Sequence, residues 1–127
     1  MENSADTATT KILIVDDEMD ICYLLSGILR RKNFTTHYVN SLSDAEAALK
    51  KEIPSLVFLD NHLPDGFGMD FIHFIKEHYP SIKVVMVTAH DTPGDRQQAF
   101  AEGADFFIGK PFTRDIINLT VDKVMSA

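Results

Sequence analysis

Several features that would tie this chain to a particular compartment are scarce. Cys22 is the only cysteine among 127 residues, so no internal disulfide can form, as is typical of proteins in a reducing compartment. No apolar run approaches the roughly 20 residues that a membrane-spanning helix needs. The first ten residues are polar, which is unlike a secretory signal. These absences predict a cytoplasmic protein without a membrane segment.

Positive charge is also in short supply. The chain has 12 Lys and Arg against 19 Asp and Glu, which gives a net charge of −7. Binding to nucleic acid through its phosphates requires a basic patch, so this balance argues against a nucleic-acid-binding domain. It favours a protein that collects cations or meets a basic partner. The length and the apolar fraction of 45% fit one soluble globular domain.

The few glycines and prolines divide the chain into short alternating segments. Residues 1–10 show no apolar periodicity and are predicted to be a disordered or frayed tail. Strands are predicted at 11–15, 34–39, 55–59, 83–87 and 104–108, each followed by a helix, at about 18–32, 43–49, 67–78, 92–103 and 113–124. The (βα)5 alternation predicts an α/β domain with an open parallel sheet and helices on both faces.

Local patterns predict how these helices begin and which residues they bury. Ser43-Asp44-Ala45-Glu46 is a capping-box pattern at the start of the second helix, and Thr113 is a cap for the fifth. The fourth helix, begun by Thr92 and ended by Gly103, has few apolar residues and is the weakest. The core is predicted to include Ile21, Cys22, Leu24, Leu25, Ile28 and Leu29 of the first helix and Phe67, Phe71 and Phe74 of the third. One of these three phenylalanines is also a candidate for a surface that serves a partner.

The chemically distinctive residues stand where predicted strands end. Asp16 and Asp17 follow the first strand, Asp60 follows the third, Thr88 ends the fourth and Lys110 follows the fifth. Ligands of open α/β sheets bind outside the carboxyl ends of the strands, so these side chains converge if the four strands are neighbours. Three carboxylates close together repel one another and imply a bound hard cation, Mg²⁺ or Mn²⁺ rather than zinc.

A lysine and a hydroxyl beside such a cation form a cage for a phosphoryl group. Asp60 can itself accept that group and become an aspartyl phosphate. Each residue has an ordinary alternative, since acids after a strand are often solvated, a threonine often caps, and a lysine often lies on the surface. The coincidence of all of them at strand ends favours the site.

Four motifs carry a resemblance to a known family. KILIVDDE, LVFLDNHLPDGFG, VVMVTA and GADFFIGKPF occur in this order between residues 11 and 125. As a set they resemble the receiver (CheY-like) domain of two-component response regulators. The resemblance implies a doubly wound, flavodoxin-like sheet of five parallel strands in the order 2-1-3-4-5. It also implies that residues 11–127 form the receiver domain.

The resemblance assigns the phosphoryl chemistry to three of these side chains. Asp60 is expected to accept a phosphoryl group from the phosphohistidine of a sensor histidine kinase or a phosphotransfer protein. Thr88 and Lys110 are expected to contact that group. The peptide bond between Lys110 and Pro111 is a candidate cis bond, since X–Pro is the bond at which cis costs least.

A magnesium site is implied as well. Asp17 is expected to bind Mg²⁺ directly, and Asp16 directly or through a water molecule. Asp60 and the backbone carbonyl of His62 are the further ligands that the resemblance implies. Mn²⁺ is an alternative cation, because it prefers similar oxygen ligands.

Thr88 and Phe107 match the switch pair of the family. When Thr88 moves to meet the phosphoryl group, the aromatic ring is expected to fill the space it leaves, and the surface of the fourth helix, fifth strand and fifth helix changes. That surface would then meet an output domain or a downstream protein, in a monomer or a phosphorylation-dependent dimer. A permanently buried core ring at Phe107 is an equally good interpretation. The hydroxyl of the tyrosine that is common at this position is absent here.

Two histidines border the same site. His62 lies two residues after Asp60, and His90 lies two residues after Thr88. We hypothesise that they tune the lifetime of the phosphoryl group, with a pH dependence near neutrality. Two exposed loop histidines without a role are the alternative.

Three rival functions remain to be weighed. A phosphohydrolase of the haloacid-dehalogenase type needs a second aspartate two residues after its nucleophile, where this chain has His62. A flavodoxin needs a Ser/Thr/Gly-rich phosphate loop, where this chain has Asp16, Asp17 and Glu18. The remaining alternative is a receiver-like module that binds proteins without phosphorylation, although none of the five site residues is missing. The sequence therefore predicts a signalling switch that accepts a phosphoryl group on itself, with slow self-dephosphorylation, rather than an enzyme.

Overall fold

The computed structural model describes residues 10–126, and its centre is one parallel sheet. The predicted tail at 1–10 therefore lies, but for Thr10, outside the described residues. The sheet strands are β1 (Lys11–Val15), β2 (Thr35–Val39), β3 (Leu56–Leu59), β4 (Lys83–Thr88) and β5 (Phe106–Gly109). They pair in the order β2-β1-β3-β4-β5, all parallel, which confirms the predicted order.

Five helices cover both faces of this sheet. They are α1 (Met19–Arg30), α2 (Leu42–Lys51), α3 (Gly68–His78), α4 (Pro93–Glu102) and α5 (Arg114–Met125). Because side chains alternate along a strand, Leu13 and Val15 pack with α2, α3 and α4, whereas Ile12 and Ile14 pack with α1 and α5. The two resulting cores lie on opposite faces of the sheet. None of these described helices is long and apolar enough to cross a membrane.

The helix starts agree with the sequence at two places and differ at one. Thr92 and Thr113 accept hydrogen bonds from the amides of Asp95 and Ile116, as N-caps do. For α2 the predicted cap at Ser43 was wrong. Ser41 caps this helix, while the carboxylate of Asp65 accepts the Leu42 and Ser43 amides at 2.9 Å each. These bonds lower the pKa of Asp65. A local sequence pattern cannot predict a capping partner that lies so far away along the chain.

Two predicted core residues lie at the surface instead. Leu24 is 49% exposed because the inward face of α1 is filled by Cys22, Leu25, Ile28 and Leu29. Phe67 is 54% exposed because the chain between β3 and α3 forms a small antiparallel hairpin of His62–Leu63 and Gly66–Phe67. Phe67 thus precedes α3 rather than lying within it.

Two glycines offer a matched test of the backbone. Gly103 ends α4 at φ 115°, and a Cβ there would lie 2.9 Å from Cγ of Lys76, whereas Gly27 lies inside α1 with open space around it. We expect Gly103→Ala to destabilise the fold by roughly 1–2 kcal/mol. We expect Gly27→Ala to stabilise it by about 0.5–1 kcal/mol, since alanine is the better helix former. Urea unfolding measures the stability of both variants. Changes of the same sign in the two free energies of unfolding would contradict these backbone roles of Gly103 and Gly27.

Candidate functional site at the carboxyl edge of the sheet

The order of the strands brings the predicted site residues to one edge. The register pairs Val15 with Leu59, so Asp16 and Asp60, which follow them, lie side by side. Thr88 ends β4 opposite Gly109, and the Lys110 amide donates to the Thr88 carbonyl at 2.9 Å. The sheet topology alone therefore places these side chains in one region.

Three carboxylates meet at this edge. Asp16, Asp17 and Asp60 each offer an oxygen atom, and these atoms all lie within 4.8 Å of one another. Asp17 is exposed, while Asp16 and Asp60 are 2% and 5% exposed. Two nearly buried carboxylates and an exposed one form an acidic pocket with one open side.

Burial and mutual repulsion make these carboxylates costly to ionise. Burial, followed by the charge of Asp16, raises the pKa of Asp60 to about 6. Burial also raises the pKa of Asp16, against the opposing effect of hydrogen bonds from the Glu18 amide and Lys110. A hard divalent cation relieves such repulsion, and an all-oxygen donor set suits Mg²⁺ or Mn²⁺. The residues present therefore fit the predicted metal, and the pocket could bind one.

Lys110 reaches into the acidic pocket from the end of β5. Its Nζ lies 2.9 Å from Asp16 Oδ2, 2.6 Å from Glu18 Oε1 and 3.7 Å from Asp60 Oδ2, and its side chain is 9% exposed. Burial alone would lower its pKa, but hydrogen bonds to Glu18 and Asp16, together with the charges of Asp16 and Asp60, raise the pKa instead. Lys110 is thus a cation held beside Asp60. Glu18, the third acid after β1, was not predicted as its partner.

The loop after β3 holds Asp60 through contacts that the sequence did not indicate. Asp60 Oδ1 accepts the Asn61 amide at 2.8 Å, and the Asn61 carbonyl accepts the Gly68 amide at 2.8 Å. The Asn61 side-chain oxygen accepts the Met69 amide at 3.0 Å. A Cβ on Gly68 would lie 2.1 Å from the Asp60 carbonyl oxygen, so only glycine permits this approach.

The loop after β1 is tied down in a comparable way. The Asp16 carbonyl accepts hydrogen bonds from Asn40 Nδ2 at 2.8 Å and from the Cys22 thiol at 3.4 Å. Burial raises the pKa of that thiol to about 11, so it stays protonated and can donate. The prediction that Cys22 is a small core residue is confirmed, since it is fully buried.

Thr88 and Phe107 lie next to each other on β4 and β5. Phe107 pairs with Met86, two residues before Thr88, and its ring is 3% exposed. Thr88 is 1% exposed, and its hydroxyl accepts the His90 amide at 3.3 Å. The Lys110–Pro111 peptide bond, named above as a candidate, is cis.

The two histidines contact each other next to the site, each two residues after a site residue. The rings of His62 and His90 lie 4.1 Å apart at an angle of 34°, and His62 also makes an edge contact with Phe67 at 5.5 Å. Both histidines are exposed. The loops after β3 and β4 are thus in contact through this pair.

The raised pKa of Asp60 predicts how stability depends on pH without divalent cations. Between the ordinary value of 3.8 and about 6 the folded state binds more protons than the unfolded state. Stability therefore falls as pH rises through this window. We expect Asp60→Asn, in a chelator at about pH 8, to be more stable than wild type by up to about 3 kcal/mol.

Urea unfolding from about pH 4 to pH 8 measures this difference, which should vanish at the acid end. Asp70→Asn, at an exposed carboxylate of α3, is the control and should show no such trend. Equal stability of Asp60→Asn and wild type at the alkaline end would contradict the proposed repulsion.

The chain is similar in sequence to known regulatory proteins. The chain is 33% identical over 109 residues to the probable transcriptional regulatory protein TcrX of Mycobacterium tuberculosis, covering 86% of this chain and 47% of TcrX. It is 38% identical over 101 residues to the response regulator PilR of Pseudomonas aeruginosa, covering 80% of this chain and 23% of PilR. The chain thus spans less than half the length of either relative.

Solved structures agree in fold. The receiver domain of NtrX from Brucella abortus is 35% identical with a TM-score of 0.86, over 91% of this chain and 98% of that domain. The beryllofluoride-activated NtrC4 receiver domain dimer is 34% identical with a TM-score of 0.87, over 91% of this chain and 96% of that chain. The family model of the response regulator receiver domain matches residues 12–122. The chain therefore belongs to the CheY-like receiver domains of two-component response regulators.

Proposed function

We propose that this chain is a phosphoryl-accepting switch of a two-component phosphorelay, with Asp60 as the acceptor. One observation carries the proposal: a nearly buried carboxylate, two acidic neighbours within 4.8 Å and a lysine 3.7 Å away share one open pocket. Receiver domains of response regulators interact with histidine kinases and output domains. The donor would therefore be the phosphohistidine of a sensor kinase or phosphotransfer protein.

The hydrogen bonds of Asp60 indicate which oxygen reacts. Oδ1 accepts the Asn61 amide, whereas Oδ2 faces Lys110. Oδ2 would attack the phosphorus atom and form the new O–P bond. The P–N bond to the donor histidine would break, and its electron pair would return to the imidazole nitrogen. The phosphoryl group ends on the chain's own side chain, so we propose a switch with slow self-dephosphorylation and not a turnover enzyme.

The acidic pocket would hold the metal. Asp16, Asp17 and Asp60, with the backbone carbonyl of His62, are the proposed ligands of Mg²⁺ or Mn²⁺. When bound, the cation supplies charge neutralisation for the carboxylates and the phosphoryl oxygens. Lys110 would exchange part of its contact with Asp16 and Glu18 for a phosphoryl oxygen, and the Thr88 hydroxyl would donate to another.

The structural change caused by phosphorylation would reach the surface formed by α4, β5 and α5. Thr88 and Phe107 lie on adjacent strands beneath it, so a shift of the threonine changes the space around the ring. We propose that this surface meets an output domain or a downstream protein, as a monomer or as a phosphorylation-dependent dimer. The NtrC4 receiver, described as a dimer in its beryllofluoride-activated form, supports the second case.

Acetyl phosphate tests this proposal directly. With Mg²⁺ we expect the intact protein to gain the mass of one phosphoryl group, because the pocket supplies both the nucleophile and the countercharge. Asp60→Asn should lose the gain, and Asp17→Asn should require a higher Mg²⁺ concentration. Asp70→Asn is the matched control and should react like wild type.

Mass spectrometry of the intact protein distinguishes the alternatives. A gain that persists in Asp60→Asn would overturn the assignment of the acceptor. The absence of any gain, with Mg²⁺ and with Mn²⁺, would favour a protein-interaction module that works without phosphorylation. Continuous turnover of phosphate esters would instead indicate an enzyme.

The histidine pair predicts a change in phosphoryl lifetime. Because His62 and His90 cover the gap between two loops of the site, removing either ring should admit water more easily. We expect dephosphorylation of His62→Ala and His90→Ala to be roughly three- to tenfold faster than wild type, which is about 0.7–1.4 kcal/mol in the barrier.

Phosphate release, followed between about pH 6 and 8, measures this effect. His73→Ala, at an exposed histidine of α3 that pairs with Glu77, is the control. Rates of both variants equal to wild type across this range would show that the pair has no role in the lifetime.

A further inference from the structure

One arginine of α4 covers the ring of Phe107. The guanidinium carbon of Arg96 lies 4.9 Å from the centroid of this ring, within the distance of a cation–π contact. Phe107 is 3% exposed, whereas the Arg96 side chain is 45% exposed. The arginine therefore lies between the ring and solvent, where a ring that moves outward would have to displace it.

Asp91 fixes the position of this guanidinium. Its two carboxylate oxygens accept Arg96 Nε at 2.6 Å and a terminal nitrogen at 3.1 Å, which is the fork geometry of a two-point contact. The contact lowers the pKa of Asp91 and raises that of Arg96. A single exposed ion pair contributes little, but this one sets where the planar group lies.

Asp91 in turn rests against the end of β5. A Cβ on Gly109 would lie 2.4 Å from Asp91 Oδ2, so the carboxylate occupies the space that a side chain would take. Gly109 pairs with Thr88 in the sheet register and directly precedes Lys110. The support of Arg96 is thus in contact with the segment that carries the proposed phosphoryl-binding lysine.

The helix that carries Arg96 has few other attachments. Ala99 is the only buried residue of α4. A helix with so little apolar burial depends more on polar contacts for its position than its neighbours do. Arg96 therefore links a weakly held helix to the aromatic ring beneath it.

We infer that Arg96, oriented by Asp91 over Gly109, is a positioning residue that holds the Phe107 ring in its inner position before phosphorylation. This inference rests on the proposed function, because the ring has a switching role only if the site accepts a phosphoryl group. Its consequence is that the receiver is biased towards the inner-ring state in the free protein. Loss of Arg96 removes this bias and increases the fraction of molecules in which the Phe107 ring points outward to solvent.

Fluorine NMR of 4-fluorophenylalanine at position 107 reports the ring directly. The labelled wild type should give one dominant resonance in the free protein. In Arg96→Gln we expect the ratio of inner to outer ring to fall about three- to tenfold, as a second or a shifted resonance. Arg96→Lys, which keeps the charge, should recover part of the change. Arg114→Gln, at an exposed arginine of α5, is the control and should match wild type.

A free-state spectrum of Arg96→Gln identical to wild type would overturn the inference, and so would a complete lack of recovery in Arg96→Lys. Asp91→Asn should shift the resonance in the same direction as Arg96→Gln, because it leaves the guanidinium without its anchor. An unchanged Asp91→Asn spectrum would overturn the assigned role of Asp91.

Addition of Mg²⁺ and beryllofluoride separates this inference from the proposed function. The inference and the proposed function together predict that the phosphoryl mimic returns the Phe107 ring of Arg96→Gln to its inner position. Suppose that the resonance of no variant changes when the mimic is added, while Arg96→Gln and wild type still differ without it. That result would contradict the proposed function but not the role of Arg96. Circular dichroism checks that each variant is folded.

Discussion

The rest of the site depends on the forced proximity of two buried carboxylates. Since β1 and β3 are neighbours and Val15 pairs with Leu59, the residues after them, Asp16 and Asp60, lie side by side whatever their charge. Both have raised pKa values because water is largely excluded from them. Lys110 is the cation that forms ion pairs with both in the described chain. One lysine cannot balance two carboxylates and the exposed Asp17, which is why a divalent cation fits.

This repulsion persists because the backbone around it is fixed. Asn40 and Cys22 hold the carbonyl of Asp16, while Asn61 and Gly68 hold the loop of Asp60 against the start of α3. The carboxylates therefore cannot move apart to relieve the cost. Relief must come from protonation or from a bound cation. A site built in this way responds to small changes in charge, which suits a switch better than a permanently satisfied ion-pair network.

The alternation of strands and helices, and the place of each site residue just after its strand, follow from short-range patterns in the sequence, whereas the strand order was implied by the family resemblance. Buried parallel strands appear as apolar runs, and parallel strands bring their carboxyl ends to one edge. Contacts between distant segments were missed. Asp65 at the start of α2, Glu18 on Lys110, and Arg96 on Phe107 join residues that no local period relates. The sequence left open which of the three phenylalanines of this region is exposed, because the short hairpin that places Phe67 at the surface leaves almost no pattern.

The route from the site to α4 follows from the same geometry. Gly109 is the last residue of β5 and lies between Phe107 and Lys110, so a change in the lysine contacts and a change in the ring act on the same segment. A phosphoryl group can shift an equilibrium only by the difference in its interaction with the two states. The more strongly Arg96 favours the inner ring beforehand, the less of that shift remains for phosphorylation to produce at Phe107. If Asp60 accepts a phosphoryl group as proposed, the arginine would therefore set a balance between a low threshold for activation and a large change on activation, and α4, in which Ala99 is the only buried residue, would be the helix that responds.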